Sequence, residues 1–131
     1  MIGLDSNILV RYLTQDDPVQ SPKVNALIER RLSNENPGFI SVVAAVETVW
    51  VLGNLYEFNP IEIAAAIEDM MESRSFSFEH AASVFLAMTA LEQGADFADA
   101  LIGSLGLRAG CTYTLTFDKK ARRLPGFELL T

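Results

Sequence analysis

A chain of 131 residues, half of them hydrophobic, is the size of one domain with one core and needs no covalent staples. Seventeen acids against ten bases give a net charge of −7 and a pI near 4.6, which excludes a protein that holds nucleic acid on a broad basic surface. Carboxylates that bind divalent cations reverse the local sign, however, and such a cluster can still face phosphate. Cys111 stands alone, so an internal disulfide and a thiolate zinc cluster are both excluded, and a reducing, cytoplasmic setting is expected. No basic segment precedes the N-terminal apolar residues, as a secretory signal would require. The longest apolar run, Phe39 to Gly53, is interrupted by Glu47 and Thr48 and is too short to span a bilayer.

Met1 to Leu4 read as a short buried strand, and Asp5 falls at its carboxyl end. Ser6 and Asn7 offer caps to a helix through Ile8–Leu13, which would leave Asp5 free; a cap role for Asp5 itself is the competing reading. Asp16-Asp17-Pro18 breaks that helix. Ser21-Pro22 then resembles an N-cap followed by proline at the first helical position, opening a helix with Val24, Leu27, Ile28 and Leu32 inward and Glu29, Arg30 and Arg31 in solvent. Asn34 to Gly38 is a turn cluster, Phe39-Ile40 a second strand, and Ser41 a cap.

The segment Val42 to Leu55 is apolar on nearly every helical face, which predicts burial on more than one side. Glu47 is its only charge and has no base at helical spacing. A buried carboxylate needs a cation opposite it, and exposure on a thin polar stripe is the alternative. Asn59-Pro60 opens the next helix, with Ile63, Ala64, Ile67, Met70 and Met71 as its core stripe. Phe76-Ser77-Phe78 alternates as a strand. Glu79 to Gln93 reads as a helix stopped by Gly94, with Ala82, Phe85, Leu86, Thr89 and Ala90 inward. His80, the only histidine, belongs in a polar first turn at the surface, and a single histidine removes the usual base of a hydrolytic triad.

Asp96 reads as the cap of the following helix, and Asp99 lies three residues on, in a first turn that favours anions. Gly103 and Gly106 continue that face without side chains. Glycine costs about 0.5–1 kcal/mol relative to alanine inside a helix, so the pair predicts close packing against a sheet. After Gly110, Thr112 to Thr116 is the best strand in the chain, and Asp118 repeats the arrangement at Asp5, an acid just beyond a strand end. Lys119, Lys120, Arg122 and Arg123 form the densest basic run, and Pro125-Gly126 turns into a last strand at Glu128–Leu130.

Strand-end acids Asp5 and Asp118, first-turn Asp99 and mid-helix Glu47 make up the oxygen-donor set that a hard divalent cation requires. Such an ion lowers the pKa of water and stabilises charge on a leaving phosphate oxygen, with no need of histidine or cysteine. The blocks Asp5-Ser6-Asn7-Ile8-Leu9, Glu47 in its apolar helix, Phe97-Ala98-Asp99-Ala100-Leu101-Ile102 and Thr114-Leu115-Thr116-Phe117-Asp118-Lys119-Lys120 resemble, in order, the signature blocks of PIN-domain ribonucleases. The size resembles that of the VapC-type toxins of bacterial toxin–antitoxin pairs.

The resemblance implies a single α/β domain, a three-layer α/β/α sandwich with a central, mainly parallel sheet. It also implies a homodimer and a Mg2+- or Mn2+-dependent endoribonuclease neutralised by a cognate antitoxin. Residue by residue, it makes Asp5, Glu47 and Asp99 the core metal acids and Asp118 the more variable fourth, which would be catalytic through the metal they hold. Thr116 matches the small hydroxyl residue before that fourth acid, Asn7 the polar residue after the first, and Asp96 an accessory acid. Lys119, Lys120, Arg122, Arg123 and Arg11 are the candidate phosphate contacts of an RNA substrate, with a solvated or antitoxin-binding face as the alternative. Two other classes stay open on the residues alone: a catalytically silent binding module acting through a protein partner, and a phosphatase using Asp5 as nucleophile. The latter would be expected to carry a carboxylate where Asn7 stands.

Overall fold

The first three short apolar runs are each followed by helix-forming sequence, and connections of that length permit parallel rather than hairpin pairing. The computed structural model describes all residues, Met1–Thr131, and every strand pair in it is parallel. In chain order the elements are β1 (Ile2–Gly3), α1 (Ser6–Thr14), α2 (Gln20–Arg30), β2 (Gly38–Ile40), α3 (Val42–Asn54), α4 (Pro60–Glu72), β3 (Phe76–Phe78), α5 (Ala81–Glu92), α6 (Phe97–Arg108), β4 (Thr114–Thr116) and β5 (Phe127–Leu129), with a 3-10 turn at Ala121–Arg123 before β5. The class is α/β with six helices and parallel sheets. The chain divides into two units, Met1–Ala81 and Ala82–Thr131. No helix is long and apolar enough to cross a membrane.

In the first unit β2 lies between β1 and β3. Ile2 is in register with Gly38, and Gly38 with Phe76. Helices fill both crossovers, and the buried side chains come from all of these elements: Leu4 beside β1, Leu9 and Val10 of α1, Ile40 of β2, Leu52 of α3, Ile67 of α4. Gly38 is fixed by this packing, because a Cβ there would lie 2.6 Å from Leu4 Cδ1 and 3.0 Å from Leu32 Cδ1. The capping signals at Ser41 and Asn59 are realised. Ser41 Oγ accepts from Ala44 N–H at 3.1 Å, and Asn59 and Glu62 form a reciprocal capping box under Pro60.

Two expectations for this unit change. Helix α2 begins at Gln20, so Ser21 and Pro22 fall within its first turn; the N–H groups at its start are taken by the Asp17 carboxylate, which accepts from Val19 and Gln20. Proline is tolerated there because a first-turn N–H has no helical partner to lose. Helix α3 is not buried on every side. Val43, Glu47 and Trp50 are exposed at helical spacing, a stripe of which Glu47 is the only charged member.

In the second unit β4 and β5 pair with Thr114 opposite Phe127 and Thr116 opposite Leu129, and Leu130 N–H extends the ladder to Thr116 O. The glycines of α6 do what their spacing predicts. A Cβ on Gly103 would sit 2.6 Å from the Phe127 ring and 3.2 Å from Pro125 O, and one on Gly106 would sit 2.8 Å from Thr114 Oγ1. The bare face of α6 therefore lies directly on the two strands.

Helix α5 starts at Ala81 rather than Glu79, after His80 has taken a left-handed backbone (φ 50°) and an exposed position. Its buried face is Ser83, Val84, Ala87, Met88 and Leu91, about half a turn from the expected stripe, of which Ala82, Phe85 and Leu86 are exposed and Thr89 and Ala90 half-buried. Apolar residues cover both faces of α5, so periodicity does not select one. The hydroxyl bond from Ser104 to Ser83, 2.8 Å long, draws the Ser83 face inward.

Candidate functional site

The structure places the predicted acids in two groups, one in each unit. In the first, Asp5 follows β1 with extended backbone (φ −78°, ψ 158°) and is itself the N-cap of α1: its Oδ1 accepts from Ser6 N–H at 2.8 Å. The expectation that Ser6 and Asn7 cap the helix and leave Asp5 free is therefore corrected. Asn7 is an exposed first-turn residue, and Ser6 is buried with another role. The Ser6 hydroxyl lies 3.4 Å from Asp5 Oδ1 and 3.4 Å from Glu47 Oε2, joining two carboxylates 42 positions apart. Glu47 is exposed, which corrects the expectation of a buried acid; α3 turns its outward stripe, not its core face, toward Ser6.

A third strand-end acid lies in this unit. Glu79 follows β3 as Asp5 follows β1, and its Oε1 accepts from Val42 N–H at 2.9 Å, capping α3 alongside Ser41. Sequence reading assigned Glu79 to a helix start, although Phe76-Ser77-Phe78-Glu79 carries the same strand-then-acid signal as Asp5 and Asp118.

In the second unit Asp96 caps α6 by accepting from Asp99 N–H at 2.8 Å, as its position predicts. The Asp99 carboxyl is pushed above the usual carboxylate range by partial burial and then by the negative charges of Asp96 and Asp118. Asp118 is exposed beyond β4 and held locally at both ends. Its N–H donates to Thr116 Oγ1 at 3.0 Å, and its Oδ1 accepts from Lys120 N–H at 2.8 Å. The hydroxyl at Thr116 thus shapes the turn that presents Asp118. None of Asp5, Glu47, Asp96, Asp99 and Asp118 forms a salt bridge, and within neither unit do three or more carboxylate, imidazole or thiolate side chains converge as a metal site.

Lys119, Lys120, Arg122 and Arg123 are all exposed, open to a polyanion. Arg11 is different. Its guanidinium donates to Gln20 Oε1 (2.8 Å), Tyr56 Oη (3.1 Å) and Asp16 Oδ1 (3.4 Å), while Tyr56 Oη–H donates to Asp16 Oδ2 at 2.6 Å. Hydrogen bonds from Tyr56 and Thr14 hold the Asp16 carboxyl below its usual range. Arg11 thus ties the end of α1 to α2 and to the loop after α3.

Among curated proteins no match to the chain is found. The PIN domain family matches residues 2–126, a span that includes every acid described above. A match over nearly the whole length of this parallel α/β chain places it in the PIN domain family, whose members are generally nucleases.

Proposed function

We propose that the protein is a Mg2+- or Mn2+-dependent endoribonuclease, with Asp5, Glu47, Asp99 and Asp118 as its metal-holding carboxylates. The observation that carries this reading is the match to PIN across both carboxylate groups, in which no acid is neutralised by a lysine or arginine. The donors suit a hard cation: they are all oxygen, none of them is in a salt bridge, and Asp99 is partly buried beside the negative charges of Asp96 and Asp118. When bound, the ion supplies positive charge for the phosphate and activates water toward it.

The protein's own contribution is placement. Asp5 is oriented by its cap bond to Ser6, Glu47 by the Ser6 hydroxyl, and Asp118 by the Thr116 turn. Asp96 fixes the backbone from which Asp99 projects and adds charge beside it. Resemblance to VapC-type toxins supports a role as the toxin of a toxin–antitoxin pair, as a homodimer bound by a cognate antitoxin. Exposed Val43 and Trp50 on α3 are suited to such protein contact.

The test is Asp99→Asn, incubated beside wild type with total cellular RNA in Mg2+ and in EDTA, read as new 5′ ends. Wild type should cut only with metal, and the variant at least about a hundredfold more slowly, the loss typical of a charge acting at the reacting phosphate. Equal cutting by the two proteins would overturn the reading.

A further inference from the structure

We propose that Glu79 is a positioning residue for the metal site: it locks the start of α3 to the end of β3, and through that helix it sets where Glu47 stands. This rests on the endoribonuclease reading above. Glu79 is bonded twice, on either side of Ser41. Its N–H donates to Ile40 O at 2.8 Å, and its Oε1 accepts from Val42 N–H at 2.9 Å, so one residue grips both the last residue of β2 and the first of α3. The Ser41 hydroxyl between them takes Ala44 N–H. The first four N–H groups of a helix have no partner within it, and here an acid from another strand satisfies one of them.

The clamp matters because little else holds Glu47. Its carboxylate is exposed and forms no salt bridge, and its one hydrogen bond comes from the Ser6 hydroxyl at 3.4 Å, beyond the usual length of an O–H···O bond. The place of that carboxylate therefore follows the backbone of α3, whose first residue, Val42, lies five positions before it. At this end the buried face of α3 is Ala44 and Ala45, side chains too small to interlock deeply, and the bond to Glu79 adds the register that such packing leaves loose. A direct place among the metal ligands fits less well. Two strand spacings, about 10 Å, separate β1 from β3, so Glu79 and Asp5 leave the sheet on opposite sides of β2, and Glu79 Oε1 is turned onto a backbone donor.

The experiment separates the bond from the charge. Glu79→Gln keeps an acceptor oxygen at the same reach and loses the charge, whereas Glu79→Asp keeps the charge and is one methylene too short for Val42 N–H. Asn59→Ala, which breaks the cap of α4, a helix that bears none of the proposed metal acids, controls for stability alone. Thermal melts across a Mg2+ titration give the Mg2+ concentration at half the full shift, and RNA cleavage is measured beside them. Glu79→Gln should match wild type in both. Glu79→Asp should need about tenfold more Mg2+, the lower end of the loss seen when a group that orients a metal ligand is removed. Asn59→Ala should melt lower in EDTA and keep the wild-type Mg2+ demand. Glu79→Asp with wild-type Mg2+ demand, Glu79→Gln impaired as much as Glu79→Asp, or an equal rise in Asn59→Ala overturns the positioning role even where wild type cuts RNA normally. Wild type that shows no Mg2+ shift and cuts no RNA overturns the endoribonuclease reading, and this inference with it.

Discussion

Asp5 caps α1, and the ligand role proposed for it can be separated from the cap by substitution. As N-cap it accepts one backbone hydrogen bond at 2.8 Å on an exposed residue, so Asp5→Ala should cost about 0.5–1 kcal/mol, the lower part of the range for lost caps. For a chain of this length 1 kcal/mol corresponds to a fall in Tm of roughly 3–5 °C. Asn caps as well as Asp. Asp5→Asn should therefore melt within about a degree of wild type in EDTA, where only the cap matters. With Mg2+ the variants should behave alike. Wild type gains RT ln(1 + [Mg2+]/Kd), about 2.7 kcal/mol at a hundredfold excess over Kd, and both variants should lose most of that gain along with RNA cleavage. Thermal melts in EDTA and across a Mg2+ titration, with cleavage measured in parallel, give all the required values. Asp5→Asn with the full Mg2+ shift and wild-type cutting would refute the ligand role, and Asp5→Asn as unstable in EDTA as Asp5→Ala would refute the cap.

Asp99 gives a prediction in pH. Its folded-state pKa is raised, so its contribution to stability is fully present below the unfolded value and is lost as pH rises through the folded value. In metal-free buffer Asp99→Asn should grow more stable relative to wild type as pH rises from the ordinary carboxylate value through the raised folded one, as read by urea midpoints; a constant difference would refute the raised value. The glycines of the helices should respond with opposite signs. Gly103→Val forces a branched side chain where even a Cβ meets the Phe127 ring at 2.6 Å, and should destabilise by about 1–3 kcal/mol or more. Gly53→Ala in α3 meets only Ile63 Cδ1 at 3.5 Å and should stabilise by up to about 1 kcal/mol, and urea unfolding of the two variants checks both signs.

The features legible in the sequence are those decided by a few neighbouring residues. Asn59-Pro60 with Glu62, Ser41, and Asp96 before Asp99 are caps whose geometry is local, and the paired glycines of α6 signal backbone approach whatever lies opposite. Asp5, Asp99 and Asp118 lie at the ends of short strands or in a first turn for the same local reason, whereas Glu47 lies within α3. What was not legible depends on which of two similar faces is covered. Both α3 and α5 are apolar nearly all round, so the exposure of Glu47 and Trp50 and the outward turn of Phe85 follow from packing partners distant in sequence. Arg11 looks like any exposed base until Tyr56, 45 residues on, is brought beside it. Ser6 is similar: a capping residue by its neighbours, it acts instead on a carboxylate supplied by another helix.

The bond from Ser6 N–H to Asp5 also bears on how the protein behaves while still folded. The acid's direction is set by the first turn of α1, and helix ends open locally at free energies well below that of global unfolding. Each time that turn frays, Asp5 loses its orientation and Ser6 releases Glu47, so both carboxylates fall out of place in one event. Under the proposed function, the competent fraction of molecules would then follow the fraying of a single helical turn, and warming would silence cleavage while the core was still intact.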